Sequence, residues 1–345
     1  MHVKDFDYDL PKELIAQVPS QRRDMSKMMV LDKFTKSISD NIFCDIVNHL
    51  TEKDFLVLNN TKVIPARIYG RKDTGALIEF FLIRETQPKK WIALIKPSKR
   101  VKEGMVIDIS EELSIKITEK IEDKWLIELL YEGNIYEILS NVGKIPLPPY
   151  IERKMNEEDF KNLDYERYQT VFAKKEGSVA APTAGLHFTQ EILSKLKEKG
   201  VGYSFVTLNV GLGTFKPVKC DNILEHKMDS ESFEISEETA FKINKAKQEG
   251  KNIVAVGTTS VRTLETTMQK HGKIIEVQDS SELFIYPGFE FKIVDKLITN
   301  FHLPKSTLLM LVSAMAGRDF IFDAYKHAIE NQYRFYSYGD CMFIK

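Results

Sequence analysis

Short apolar runs, each closed by a polar or glycine-bearing turn and followed by residues at helical spacing, recur through the second half of the chain. Asn252 to Val256 reads as a β run that gives way to Gly257-Thr258-Thr259-Ser260, a helical pattern from Val261 to His271 and a stop at Gly272. Lys292 to Ile298 repeats the layout, with Thr299-Asn300-Phe301-His302, Pro304 and a helix from about Ser306 to Ala316. The stretch VAAPTAGLHFT, Val179 to Thr189, has the same order: a buried strand end, small residues, His187, and Thr189 as N-cap of a helix over Gln190 to Lys199 that ends at Gly200. Tyr203 to Val210 is a strand running into Gly211-Leu212-Gly213-Thr214-Phe215, and Ser236 caps a helix that ends near Gly250. In α/β sheets ligands sit where strands deliver their carboxyl ends, so several polar turns on one edge predict one site.

The first half differs in texture. A likely strand at Met28 to Leu31 and helical spacing at Asp45 to Leu50 precede a strand over Phe55 to Leu58, a turn at Asn59-Asn60-Thr61 and a second strand to Tyr69. Then Gly75–Ile83, Trp91–Ile95, Met105–Ile109, Leu113–Thr118 and Lys124–Leu130 follow as evenly spaced β runs between charged turns. That is the signal of a small all-β barrel or sandwich. A helix pattern at Ile135 to Asn141 and the stiff Pro146-Leu147-Pro148-Pro149-Tyr150 lead back to α/β sequence. The fold class expected is α/β: a discontinuous, barrel-like catalytic domain over 1–70 and 147–345, carrying an inserted β-barrel over 71–146.

Composition narrows the function only partly. In 345 residues, 49 Lys and Arg nearly cancel 50 Asp and Glu, so no global basic field announces nucleic acid, though a local patch suffices. The densest basic cluster of the β block, Lys96 to Arg100 with Lys102, reads as a solvated loop or an RNA phosphate contact. Cys44, Cys220 and Cys341 lie far apart, which argues against zinc and a disulfide scaffold. The start MHVKDFDYDLP lacks a signal-peptide core, and the longest apolar helix is about half a membrane span, so a cytoplasmic protein is expected.

The runs LNNTKVIPAR, PLPPYI, VAAPTAGLHF, VGTTSVRTLE, FIYPGF, TNFHLP with STL, and YRFYSYGDCMFI, in this order and spacing, resemble the S-adenosylmethionine:tRNA ribosyltransferase-isomerases of queuosine biosynthesis. The resemblance covers essentially the whole chain and implies an α/β domain with an inserted β-barrel. It also implies transfer and isomerisation of the ribosyl group of S-adenosylmethionine onto 7-aminomethyl-7-deazaguanine at the tRNA wobble position, giving epoxyqueuosine-tRNA, adenine and methionine. S-adenosylmethionine is then consumed as donor, with no separate cofactor and no metal; tRNA is the macromolecular partner, and a monomer is expected. Two positions depart from the family: Asn209 and Asp229 stand where histidines are usual, which places the indispensable acid/base groups elsewhere.

The donor's sulfonium acidifies the adjacent carbon, so a positioned base starts the isomerisation, and adenine leaves more easily when its ring is protonated. His187 and His302, each just beyond an expected strand end, are the acid/base candidates; either is equally readable as a packed histidine bonded to a carbonyl. His226 and Asp229, on a polar loop, are further candidates. Thr183 and Gly185 let backbone approach a ligand, as do Gly213 and Thr214 at the next exit. Thr258, Thr259 and the opening N–H groups of their helix form an anion seat for the methionine carboxylate or an RNA phosphate. Arg262, placed in that helix's first turn, calls for an anionic partner, either substrate or a salt-bridging carboxylate. Glu282 is a candidate partner for the deazaguanine edge or a solvated charge; Asn60 serves the turn or a ligand; Arg67 contacts a ligand or makes a structural ion pair. Phe188, Phe215, Phe301 and Tyr286 are rings available for stacking or core. Two other classes stand beside the leading one: a catalytically silent tRNA-binding relative, and a small-molecule hydrolase with Ser178 or Ser260 activated by His187, although no GxSxG elbow is present.

Overall fold

A computed structural model describes residues 1–153, 159–211, 218 and 220–345; Gly213, Thr214 and Phe215 of the expected glycine-rich exit lie outside them. In chain order the first elements are β1 (Lys27–Asp32), β2 (Ser37–Ile42), the short α1 (Ile46–His49), β3 (Asp54–Asn59) and β4 (Thr61–Val63). The middle of the chain forms β5 (Arg67–Arg71), β6 (Leu77–Gln87), β7 (Lys90–Lys96), β8 (Val106–Asp108), β9 (Leu113–Ile121), β10 (Lys124–Tyr131) and α2 (Ile135–Val142). After it come α3 (Asp159–Arg167), β11 (Lys175–Ser178), α4 (Gln190–Glu198), β12 (Gly202–Leu208), β13 (Glu231–Ile235), α5 (Glu237–Gln248), β14 (Asn252–Val256) and α6 (Thr258–His271). The last elements are β15 (Val277–Ser281), β16 (Val294–Asn300), α7 (Thr307–Ala316), α8 (Arg318–Glu330) and β17 (Cys341–Ile344).

A nine-stranded mixed sheet, ordered β15-β13-β12-β3-β14-β16-β17-β1-β2, forms the frame. Its centre, β12-β3-β14-β16, is parallel, so these strands deliver their carboxyl ends to one edge. Every residue of β3 is buried, as a strand covered on both faces requires. The caps read from sequence hold α4 and α5, and a third holds α7: the hydroxyls of Thr189, Ser236 and Ser306 accept from the N–H groups of Ile192, Thr239 and Leu309.

The evenly spaced β runs form a separate six-stranded antiparallel sheet, β5-β6-β7-β10-β9-β8. Alternate residues such as Leu113, Ile115 and Ile117 on β9 and Trp125, Ile127 and Leu129 on β10 fill its interior. The edge strands β5 and β8 approach each other at Gly70, beside Ile107 and Ile109, so the sheet is nearly closed. Its first strand begins at Arg67, within the segment whose texture reads as α/β.

The incoming and outgoing chains of this unit run side by side, Arg67 and Lys144 exchanging backbone hydrogen bonds of 3.2 and 2.8 Å. Gly143 makes this approach possible: a Cβ there would lie 2.0 Å from the Pro65 carbonyl oxygen. Gly143→Ala is therefore expected to cost about 1–3 kcal/mol through forced backbone displacement, read as a lowered thermal midpoint; an unchanged midpoint would refute this account of the junction.

Four strands escape the sequence reading for a physical reason. β2, β13 and β15 lie at or beside sheet edges, and their polar outward positions break any apolar run; β17 is short and pairs with β1 and β16. One helix boundary also moves: α6 begins at Thr258 rather than Val261, which puts Arg262 beyond the first turn.

Candidate functional site

Four chain-distant turns meet in one pocket at the carboxyl edge of the parallel strands. Thr183 and Ala184 come from the turn after β11, Gly257, Thr258 and Thr259 from the β14–α6 junction, and Asn300, Phe301 and His302 from the end of β16. Tyr336 and Ser337, before β17, and Tyr150, from the proline-rich segment, complete the wall. The space amounts to about 540 Å³, counting its open mouth. Among the described residues no carboxylate, lysine or arginine lines it.

The amino end of α6 opens on this pocket without a side-chain cap. Gly257, at φ 85°, turns the chain out of β14 in a conformation that disfavours other residues, and its N–H bonds the Ile298 carbonyl at 2.8 Å. Asn59 stitches the edge together: its Nδ2 donates to the Leu208 carbonyl (3.0 Å) and to Thr259 Oγ1 (3.3 Å), while its Oδ1 accepts from Thr61 and Leu208 N–H.

His302 stands in the pocket wall with Nε2 3.1 Å from Thr299 Oγ1. Its backbone is fixed from both sides: its N–H donates to Tyr325 Oη at 2.8 Å and its carbonyl accepts from Tyr8 Oη. Nδ1 makes no hydrogen bond among the described residues. Burial alone pushes the imidazole down to about 3, so it is neutral at physiological pH. A neutral imidazole of lowered pKa is a weak base and keeps one ring N–H to donate.

His187 does not share the pocket. It is buried, its Nδ1 lies 2.6 Å from Ser26 Oγ and its Nε2 3.3 Å from Asn300 Nδ2. Both nitrogens are engaged, as in a packed histidine, and it lines a separate, smaller pocket together with Arg23 and Arg167. Burial first, then the charge of Arg334 and to a lesser degree that of Arg23, pushes its pKa down to about 3. A histidine held neutral in the fold and near 6.5 in the unfolded chain stabilises the protein fully above pH 6.5. Stability then falls as pH drops from about 6.5 toward 3. His187→Gln is expected to flatten unfolding free energy against pH in that window by up to about 1.4 kcal/mol per pH unit; parallel wild-type and variant curves from urea titrations would refute it.

The other candidates separate. Gly185 presents its bare face to Phe172 and Thr170, each 2.9 Å from where a Cβ would stand, so its smallness serves packing rather than a ligand. Asn60 Oδ1 accepts from Thr207 Oγ1 at 2.7 Å, and its backbone pairs with Val206 and Lys174, which is the turn-serving role. Arg67 pairs with Glu79 at 2.8 Å and lies over the Phe81 ring, in the six-stranded sheet. Arg262 is enclosed, its guanidinium donating to the carboxylate of Glu231 on β13 and to the Ser281 carbonyl. Its anionic partner is a salt bridge to a strand. Glu282 is exposed beyond β15. Phe188 and Phe301 are core; Tyr286 is half-buried against Phe284.

Asp229 is exposed, and with Asn209 it lines a wider crevice of about 1490 Å³, open side included, between the main sheet and the six-stranded unit. Thus the two family-departing positions face the same space. Val210 stands in the walls of both the crevice and the pocket. His226 is half-buried against Phe284, burial lowering its pKa. Sequence reasoning missed Ser26, Asn300, Tyr336 and Ser337 as site residues; the motif YRFYSYGD was the one signal for the last two.

The sequence profile of the queuosine biosynthesis protein family matches residues 3–344. A curated relative from Clostridioides difficile (strain 630), named S-adenosylmethionine:tRNA ribosyltransferase-isomerase, is 52% identical over 100% of both chains. The crystal structure of an S-adenosylmethionine tRNA ribosyltransferase from Thermotoga maritima is similar, with TM-score 0.54 and 37% identity, over 99% of this chain and 100% of that one. No described helix is long and apolar enough to cross a membrane. With a family profile spanning nearly every residue and a full-length relative sharing half of them, the chain belongs to the queuosine biosynthesis protein family.

Proposed function

We propose that the protein is an S-adenosylmethionine:tRNA ribosyltransferase-isomerase. It moves the ribosyl group of S-adenosylmethionine onto 7-aminomethyl-7-deazaguanine at the tRNA wobble position and releases adenine and methionine. The observation that carries the reading is the meeting of Thr183, Thr258, Thr259 and His302, from separate strand-end turns, in one pocket of a chain belonging to this family. The uncapped end of α6 suits the donor's carboxylate. In the tautomer whose Nε2 accepts from Thr299 Oγ–H, neutral His302 presents Nδ1–H to the ring of the departing adenine. A neutral imidazole is an effective hydrogen-bond donor to developing charge without transferring its proton.

The adjoining crevice, reached past Val210, gives the wobble base a place next to the donor. With 71–146 as an inserted unit, its Tyr136 and Lys124 face Asp229 across that space. A wobble base must leave its stack to enter, as bases do for enzymes that act on them. We place the protein, as a monomer, in the cytoplasm.

Incubation of purified protein with S-adenosylmethionine and tRNA bearing the deazaguanine precursor is expected to release adenine, and unmodified tRNA is expected to release none. Binding of the precursor tRNA with no adenine release would instead support the silent relative.

A further inference from the structure

Asn300 is 3% exposed, stands in the pocket wall, and carries a buried Oδ1 with no hydrogen-bond partner among the described residues. The orientation of its amide is fixed by chemistry. Nδ2 lies 3.1 Å from the Tyr336 carbonyl, which only accepts, so the nitrogen must be the atom facing it. The second Nδ2 hydrogen goes to His187 Nε2 at 3.3 Å, which places that histidine's proton on Nδ1, toward Ser26 Oγ. Both donors are spent and the acceptor is bare. An unmet buried carbonyl oxygen is costly, about 1–3 kcal/mol, and at a pocket wall it signals a ligand donor.

The remaining wall defines that donor. Bidentate recognition of adenine by an asparagine needs a free N–H beside the oxygen, and Asn300 has none left. Among the described residues the wall holds no charged side chain, so it offers hydrogen bonds rather than ion pairs to the part of the ligand seated there, while the uncapped start of α6 supplies N–H groups for an anion. A zwitterion meets both conditions.

Taking the proposed function as the frame, we infer that Asn300 Oδ1 accepts a hydrogen bond from the α-ammonium of the donor's methionine half, whose carboxylate sits at the amino end of α6. Asn300 is then a specificity-determining residue for the α-amino acid end of the sulfonium donor.

Calorimetric titration of the full-length protein with three compounds tests this: S-adenosylmethionine, the analogue with hydrogen in place of the α-amino group, and S-adenosylhomocysteine, which keeps the ammonium but lacks the sulfonium. The wild type is expected to bind the desamino analogue about 10- to 100-fold more weakly than S-adenosylmethionine, the size of a lost charge-assisted hydrogen bond. Asn300→Ala is expected to bind those two alike while keeping the wild-type ratio between S-adenosylmethionine and S-adenosylhomocysteine. Equal wild-type affinity for the desamino compound, or a preference that survives in Asn300→Ala, overturns the inference. So does a variant that instead loses the sulfonium preference, since Oδ1 would then face sulfur. If the variant fails to fold, a crystal structure of the wild type with S-adenosylmethionine decides: the α-nitrogen within hydrogen-bond distance of Oδ1 supports the assignment, and any other partner overturns it. Because binding is scored apart from adenine release, turnover without ammonium preference sinks only the Asn300 assignment. Ammonium preference without turnover sinks only the reaction.

Discussion

His302→Gln is expected to lower kcat for adenine release by about 10²–10³-fold, the usual loss when one preorganised donor to developing charge is removed. The glutamine keeps most of the volume and can still meet Thr299 Oγ1, so the Michaelis constant for S-adenosylmethionine is expected to stay within a few-fold. Steady-state kinetics of adenine release decide it, and a kcat within tenfold of wild type refutes the donor role. The pH profile adds an independent check. Because burial holds His302 neutral down to about 3, its donor form is fully present at pH 6 to 8, and no limb of the rate profile in that range belongs to it. An acid limb near pH 6.5 that disappears in His302→Gln would show instead an ordinary titrating imidazole.

Arg262→Met is expected to lower stability by about 3–5 kcal/mol, because it takes the guanidinium away from a buried carboxylate. The side chains of Arg262 and Glu231 are 7% and 4% exposed, so little water reaches the pair to take the place of the lost partner. Glu231 also accepts from the Gly211 N–H at 2.8 Å, which ties the exit of β12 to the pair. Denaturant titration measures the loss, and the double replacement Arg262→Met with Glu231→Leu is expected to recover part of it, since both charges then leave together. A drop below 1 kcal/mol for the single variant would show that the pair is solvated. Michaelis constants for both substrates are expected to remain unchanged in the folded fraction, the reverse of what a ligand-binding arginine would give.

Much of the architecture was legible because local physics dictates it. The alternation in β9 and β10 requires a sheet with one buried face, and the hydroxyls of Thr189, Ser236 and Ser306 mark helix starts wherever the helices pack. The run of buried residues in β3 demands cover on both sides. The edge strand β15 and its neighbour β13 were not legible, since a strand that shows polar atoms to water carries no apolar period, and so the partner of Arg262 stayed hidden on β13.

The candidate site divides along the same line. By itself, the sequence determined that polar turns follow apolar strands, that Thr258, Thr259 and His302 occupy such turns, and, through whole-chain motif order, which family the chain resembles. Only the tertiary structure decided that these turns share a pocket while His187 faces away, because Ser26 and Asn300 reach it from positions far off in the chain. It likewise decided that Gly185 is small for the sake of Phe172 and Thr170. The reason is common to both: a residue's neighbours in sequence set its backbone, but what its side chain can do depends on burial and on atoms that only folding brings within hydrogen-bond reach.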